Sequence, residues 1–90
     1  MIERQVLAGG ILCEQSSPSG DCRYYLIRSL LPREEELCYS LFCTDGHGAA
    51  FFFDVCRREE RARELMRLLC EGEVGSAVLE EVLEEVLEEL

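Results

Sequence analysis

The residues best suited to chemistry lie together near the middle of the chain, in Cys43-Thr44-Asp45-Gly46-His47, with Cys38 five positions upstream. Two chemistries use such a set. Thiolate and imidazole are the preferred ligands of structural zinc, so Cys38, Cys43 and His47 supply three of four ligands and a distant cysteine supplies the fourth. A cysteine beside a histidine is also the core of a nucleophilic pair. Both readings meet obstacles in the spacing. Structural zinc uses close-spaced ligand pairs, whereas side chains alternate along a strand, so residues five apart point to opposite faces. His47 falls at the tip of an expected turn, where an ordinary solvated histidine is the plainer reading.

Six cysteines invite a disulfide framework, but no Cys-x-x-Cys occurs. The start of the chain, Met1-Ile2-Glu3-Arg4-Gln5, lacks the basic region and long apolar run of a signal peptide. That predicts a cytoplasmic protein whose thiols stay reduced and act as small buried hydrophobes. Other catalytic signatures are missing as well. Gly46-His47-Gly48 lacks the lysine and helix of a phosphate-cradling loop, and neither His-Glu-x-x-His nor Gly-x-Ser-x-Gly is present. The chain therefore reads as a non-enzyme, with no catalytic residue and no cofactor.

Charge sorts the partners. The formal net charge is -10, which argues against direct contact with nucleic acid and with an anionic membrane surface. A partner chosen by charge is a basic protein. No stretch nears the eighteen or so apolar residues of a membrane span. At 48% hydrophobic, the 90 residues can form one globular core and no more.

The elements that must position these residues follow from periodicity and turn signals. A first strand is expected over about 2–14, bent at Gly9-Gly10. Ser16-Ser17-Pro18-Ser19-Gly20-Asp21 is a loop, and Cys22 to about residue 29 is a second strand rich in aromatic and β-branched residues. Pro32 and Glu34-Glu35-Glu36 make a solvated turn. Strands over about 37–44 and 49–55 flank Asp45-Gly46, which signals a type I′ hairpin. Phe51-Phe52-Phe53 puts rings on both faces of the last strand; one face meets the helices and the other needs cover. Ala62, Leu65, Met66 and Leu69 recur at helical spacing, giving a helix over about 57–71 stopped by Gly72. A second helix runs over about 76–90 with Ser76 as its N-cap. The whole is an α+β domain over 1–90: a four-stranded, mostly antiparallel sheet followed by two C-terminal helices packed on one face.

The second helix is the most informative segment. Residues 78–89 are Val-Leu-Glu-Glu three times over. Val78, Leu79, Val82, Leu83, Val86, Leu87 and Leu90 fill one half of its surface, and Glu80, Glu81, Glu84, Glu85, Glu88 and Glu89 the other. Glutamates at i,i+4 repel by roughly 0.2–0.5 kcal/mol a pair, and acids near a helix C-terminus oppose the dipole. The penalty is about 1–3 kcal/mol, against a gross gain of roughly 10–20 kcal/mol from burying the apolar half. Such a helix forms only when docked. One arrangement packs it beside the first helix, where Arg57, Arg58, Arg61, Arg63 and Arg67 neutralise some of the glutamates. The other offers it to a basic or apolar-grooved partner, or to a second copy in a homodimer. An acidic helix can also mimic nucleic acid and block a basic groove.

The layout resembles a family of small bacterial proteins classed as a domain of unknown function. The residues that carry the resemblance are Tyr24-Tyr25-Leu26-Ile27, Phe53-Asp54-Val55, the helix after them, and Val74 followed by Val78-Leu79-Glu80-Glu81-Val82-Leu83-Glu84-Glu85. It spans roughly residues 20–90. In that family a proline usually follows the valine, where this chain has Gly75-Ser76. The resemblance implies a soluble cytosolic protein and brings no site residues with it.

Overall fold

The computed structural model describes residues 10–31, 33 and 35–89, with side chains as far as Val86. Four strands, β1 (Ile11–Ser16), β2 (Arg23–Leu31), β3 (Glu36–Asp45) and β4 (Gly48–Cys56), precede two helices, α1 (Glu59–Glu71) and α2 (Leu79–Glu89). The sheet is an antiparallel meander in the order β1-β2-β3-β4. This is the expected α+β architecture.

Strand alternation divides the sheet cleanly. Cys22, Tyr24 and Leu26 of the β2 segment and Tyr39, Leu41 and Cys43 of β3 face the helices. There they meet Ala62, Leu65, Met66, Leu69 and Cys70 of α1 and Leu79 and Leu83 of α2. Phe52 joins this core, while Phe51 pairs with Phe42, and Phe42 with Tyr25, in a half-buried row on the other face. The Tyr25 and Phe42 rings are 5.8 Å apart. Phe53 is 50% exposed on that same face.

Several boundaries differ from expectation, each for a local reason. The described part of the first strand, Ile11–Ser16, runs past residue 14 because Gln15 and Ser16 pair with Tyr24 and Arg23. Residues 2–9 of the expected strand lie outside the described residues. Its irregularity falls between Ile11 and Cys13, just after Gly10 at φ 98. The β3–β4 turn is centred on Gly46-His47, and neither has positive φ, so it is not type I′. The Asp45 carboxylate replaces that geometry by accepting the amides of His47 at 2.8 Å and Gly48 at 3.0 Å.

α1 begins at Glu59 rather than Arg57. Arg57 is held outside the helix by a two-pronged pair with Asp54 (2.6 and 2.7 Å) and a contact to Glu36 at 2.7 Å. The extended N-cap, Arg58, makes no side-chain cap hydrogen bond; its amide instead donates to the Cys56 sulfur at 3.4 Å. Gly72 does follow the last turn, but in a right-handed conformation. The left-handed residue is Glu73 at φ 50. Its amide donates to Cys70 O and that of Val74 to Leu69 O, both at 3.1 Å, which is a Schellman closure with glutamate where glycine is usual.

Candidate functional site

α2 presents Glu80, Glu81, Glu84 and Glu85 as exposed acids, and a short strap, residues 72–78, positions it. The strap crosses the end of the sheet and is fastened at three places. The Tyr24 hydroxyl donates to Val74 O at 2.6 Å. Burial, then hydrogen bonding with Cys22, pushes the Tyr24 pKa well above its ordinary value, so the hydroxyl remains a donor. Glu73 Oε1 accepts the Ser19 amide at 3.1 Å. Hydrogen bonds from Ser19, side chain first and backbone next, hold the Glu73 carboxyl below the usual carboxylate range.

Asp45 is the third fastening. Besides its two turn amides, it accepts the Ser76 amide on Oδ2 at 2.7 Å and the Ser76 hydroxyl on Oδ1 at 3.2 Å. These bonds, that of the Ser76 amide foremost and His47 next, lower its pKa. Gly75 lies so close that a Cβ there would stand 3.1 Å from Asp45 Oδ2. Ser76 is thus not the N-cap of α2: its hydroxyl is engaged by Asp45, and the helix starts three residues later, after a turn closed by Val78 N to Gly75 O at 3.2 Å. Val78 precedes the helix and is 48% exposed, unlike Leu79, Val82, Leu83 and Val86.

From Leu79 onward the periodicity holds. Leu79 and Leu83 are buried, Val82 and Val86 half-buried, and Glu80, Glu81, Glu84 and Glu85 exposed. The side chains of Glu88 and Glu89 lie outside the described residues. Among the described residues, two buried leucines and two half-buried valines yield roughly 5–8 kcal/mol, above the repulsion between the glutamates. The arginines of α1 are engaged nearer home. Arg63 pairs with Glu59 at 2.9 Å, and Arg67 with Glu71 at 3.0 Å and Glu64 at 3.9 Å. Among the described residues, Glu80, Glu81, Glu84 and Glu85 make no ion pair, so the expected neutralisation between helices is not made at these four glutamates. An i,i+4 partner on the same helix needs no second element to be brought alongside.

The thiol and imidazole candidates are not brought together. Cys43 is buried in the helix-side core, whereas Cys38 is buried outside it, as strand parity requires. His47 is exposed in the turn. Burial, helped by Cys22 and Asp45 nearby, pushes the Cys43 thiol up to about 11, far from a nucleophile at neutral pH. None of the six cysteines is in a disulfide, and four of them are buried. Among the described residues no three His, Cys, Asp or Glu side chains are placed to hold a metal.

Sequence reasoning missed a cleft of about 720 Å³ between the Ser19–Cys22 loop, the Asp45–His47 turn and the strap at Glu73 and Gly75. Its acids are Asp21, Asp45 and Glu73. Asp45 and Glu73 are occupied in fastening the strap, which gives them a structural part. Asp45 carried one legible signal, its place at the start of a turn; nothing local marked Ser76 as its second partner. Among the described residues no helix is long and apolar enough to cross a membrane. Comparison with family models, curated proteins and solved structures returns no match.

Proposed function

We propose that this is a non-enzymatic interaction or regulatory protein of the cytoplasm, which presents the outward face of α2 to a basic partner protein. The observation that carries this reading is the exposure of Glu80, Glu81, Glu84 and Glu85 without an ion pair among the described residues. Glu88 and Glu89 continue the pattern in sequence. Residues four apart on a helix rise about 6 Å, so the face offers two parallel rows of carboxylates to lysines or arginines spaced along a partner helix or strand. Unpaired surface charges of one sign steer a partner of the other sign from a distance, in a salt-dependent way. A basic groove that otherwise takes nucleic acid is one form such a partner takes.

The test is the quadruple variant Glu80→Gln, Glu81→Gln, Glu84→Gln and Glu85→Gln. It keeps side-chain shape and removes the repulsion of pairs 80/84, 81/85, 84/88 and 85/89, so it should fold at least as stably, by roughly 0.8–2 kcal/mol. Proteins captured by the wild type from a cell extract should be lost by the variant and released by raised salt. An unchanged set of captured proteins would sink the proposal.

A further inference from the structure

We propose that residues 75–89 form an arm that opens as one unit about Gly75, while the sheet and α1 stay folded, with Asp45 as its latch. The fastenings of the strap fall unevenly about that glycine. Two of the three, Glu73 to Ser19 and Tyr24 to Val74, lie before it. The bonds that close the end of α1 also stop there, the last being Val74 N to Leu69 O at 3.1 Å. The closure of α1 and the ladders of the sheet are therefore complete without residue 75 or anything after it.

Beyond Gly75 the hold is light. Among the described residues, the hydrogen bonds that the rest of the fold makes to residues 75–86 come from one carboxylate, Asp45, to the amide and hydroxyl of Ser76. The other contact is apolar, through buried Leu79 and Leu83 and half-buried Val82 and Val86. A segment held by so few buried groups opens at a lower free energy than the core. Glutamates at 80/84, 81/85, 84/88 and 85/89 repel while the arm is helical, which also favours opening. When Ser76 leaves, Asp45 keeps the amides of His47 and Gly48, so the β3–β4 turn survives the release.

The arm regulates the glutamate face, a coupling that rests on that face being the docking surface. The two parallel rows of carboxylates exist only on the closed, helical arm. A basic partner that binds them relieves the repulsion and draws the arm shut. By linkage, whatever loosens the latch weakens the partner, and the apparent affinity follows the closed fraction.

Amide exchange of the full chain in increasing urea, with and without an arginine-rich peptide, tests this. Val82 to Val86 should share one opening, about a hundredfold or more easier than that of Tyr24 to Ile27, which lie in a strand bonded on both sides. Its urea dependence should be shallower, because less surface is exposed. Gly75→Ala probes the latch. Gly75 has no positive φ, so alanine suits its backbone, but the new Cβ would stand 3.1 Å from Asp45 Oδ2 and push it from Ser76. Protection at Val82 to Val86 should then fall about tenfold, the equivalent of one net hydrogen bond. Peptide should raise it again in proportion to its concentration. Three results would each overturn the proposal: an α2 that opens only with β2 and at the same slope, protection that declines residue by residue along α2, or a Gly75→Ala variant with unchanged protection there. A shared, shallow opening that shifts in Gly75→Ala but ignores the peptide would support the arm and sink the glutamate-face reading.

Discussion

Replacing Tyr24 by phenylalanine removes one oxygen and tests whether the strap seats α2. The ring is buried and should stay in place, because phenylalanine fills the same space less the hydroxyl. What is lost is the 2.6 Å donation to Val74 O. A net hydrogen bond is worth about 0.5–1.5 kcal/mol, and a partly buried carbonyl left without a good donor adds to the loss. Among the described residues the only other donor there is the Cys43 thiol at 3.9 Å, too long to compensate. The expected destabilisation is about 1–2 kcal/mol. For a domain of this size that corresponds to a fall in Tm of roughly 4–16 °C. Thermal and urea unfolding followed by far-UV circular dichroism measures it, and hydrogen exchange locates it: α2 amides should lose protection before those of β2 and β3. Stability within about 0.3 kcal/mol of the wild type, well below the range for such a bond, would refute the reasoning.

Three further outcomes follow from the same contacts. Leu79→Ala removes a fully buried side chain of α2 and should cost about 3 kcal/mol in urea unfolding. Asp45→Ala removes four hydrogen bonds at once; it should speed amide exchange at His47, Gly48 and Ser76 while leaving the β2–β3 ladder unchanged. At alkaline pH the protein should weaken, because Tyr24 and Cys43 both have raised pKa values when folded. Each favours the folded state below its unfolded pKa and loses that contribution as pH rises through the folded one. Stability should therefore fall from about pH 9 upward through 11 for Cys43, and Cys43→Ala should flatten that part of the profile.

The legible features were those set by repetition along the chain. The aromatic and β-branched run after Cys22 marked one strand, and the two-residue period of the next separated Cys38 from Cys43. The four-residue repeat marked both halves of α2. What remained hidden depended on a partner distant in sequence. Ser76 has the chemistry of an N-cap, yet Asp45, 31 residues away, takes its hydroxyl and its amide and delays the helix. Glu73 is an improbable left-handed residue beside an available Gly72, and its contact with Ser19 crosses 54 positions. Arg57 fits the first turn of a helix until Asp54 and Glu36 hold it aside. The glutamate face was visible as a pattern, but the absence of an ion pair at Glu80, Glu81, Glu84 and Glu85 among the described residues emerged only once Arg63 and Arg67 were seen engaged on their own helix.

The central claim is that the charge on α2, rather than net charge, binds a basic partner. The most direct measurement is fluorescence anisotropy of a labelled arginine-rich peptide against three proteins at one low salt concentration. These are the wild type, the α2 variant with Glu80, Glu81, Glu84 and Glu85 changed to glutamine, and a control with Glu14, Glu35, Glu60 and Glu71 changed instead. Both variants lose four negative charges from exposed positions. The α2 variant should bind about tenfold or more weakly, a loss of at least ~1.4 kcal/mol, while the control stays close to the wild type. Equal weakening in both would contradict the claim.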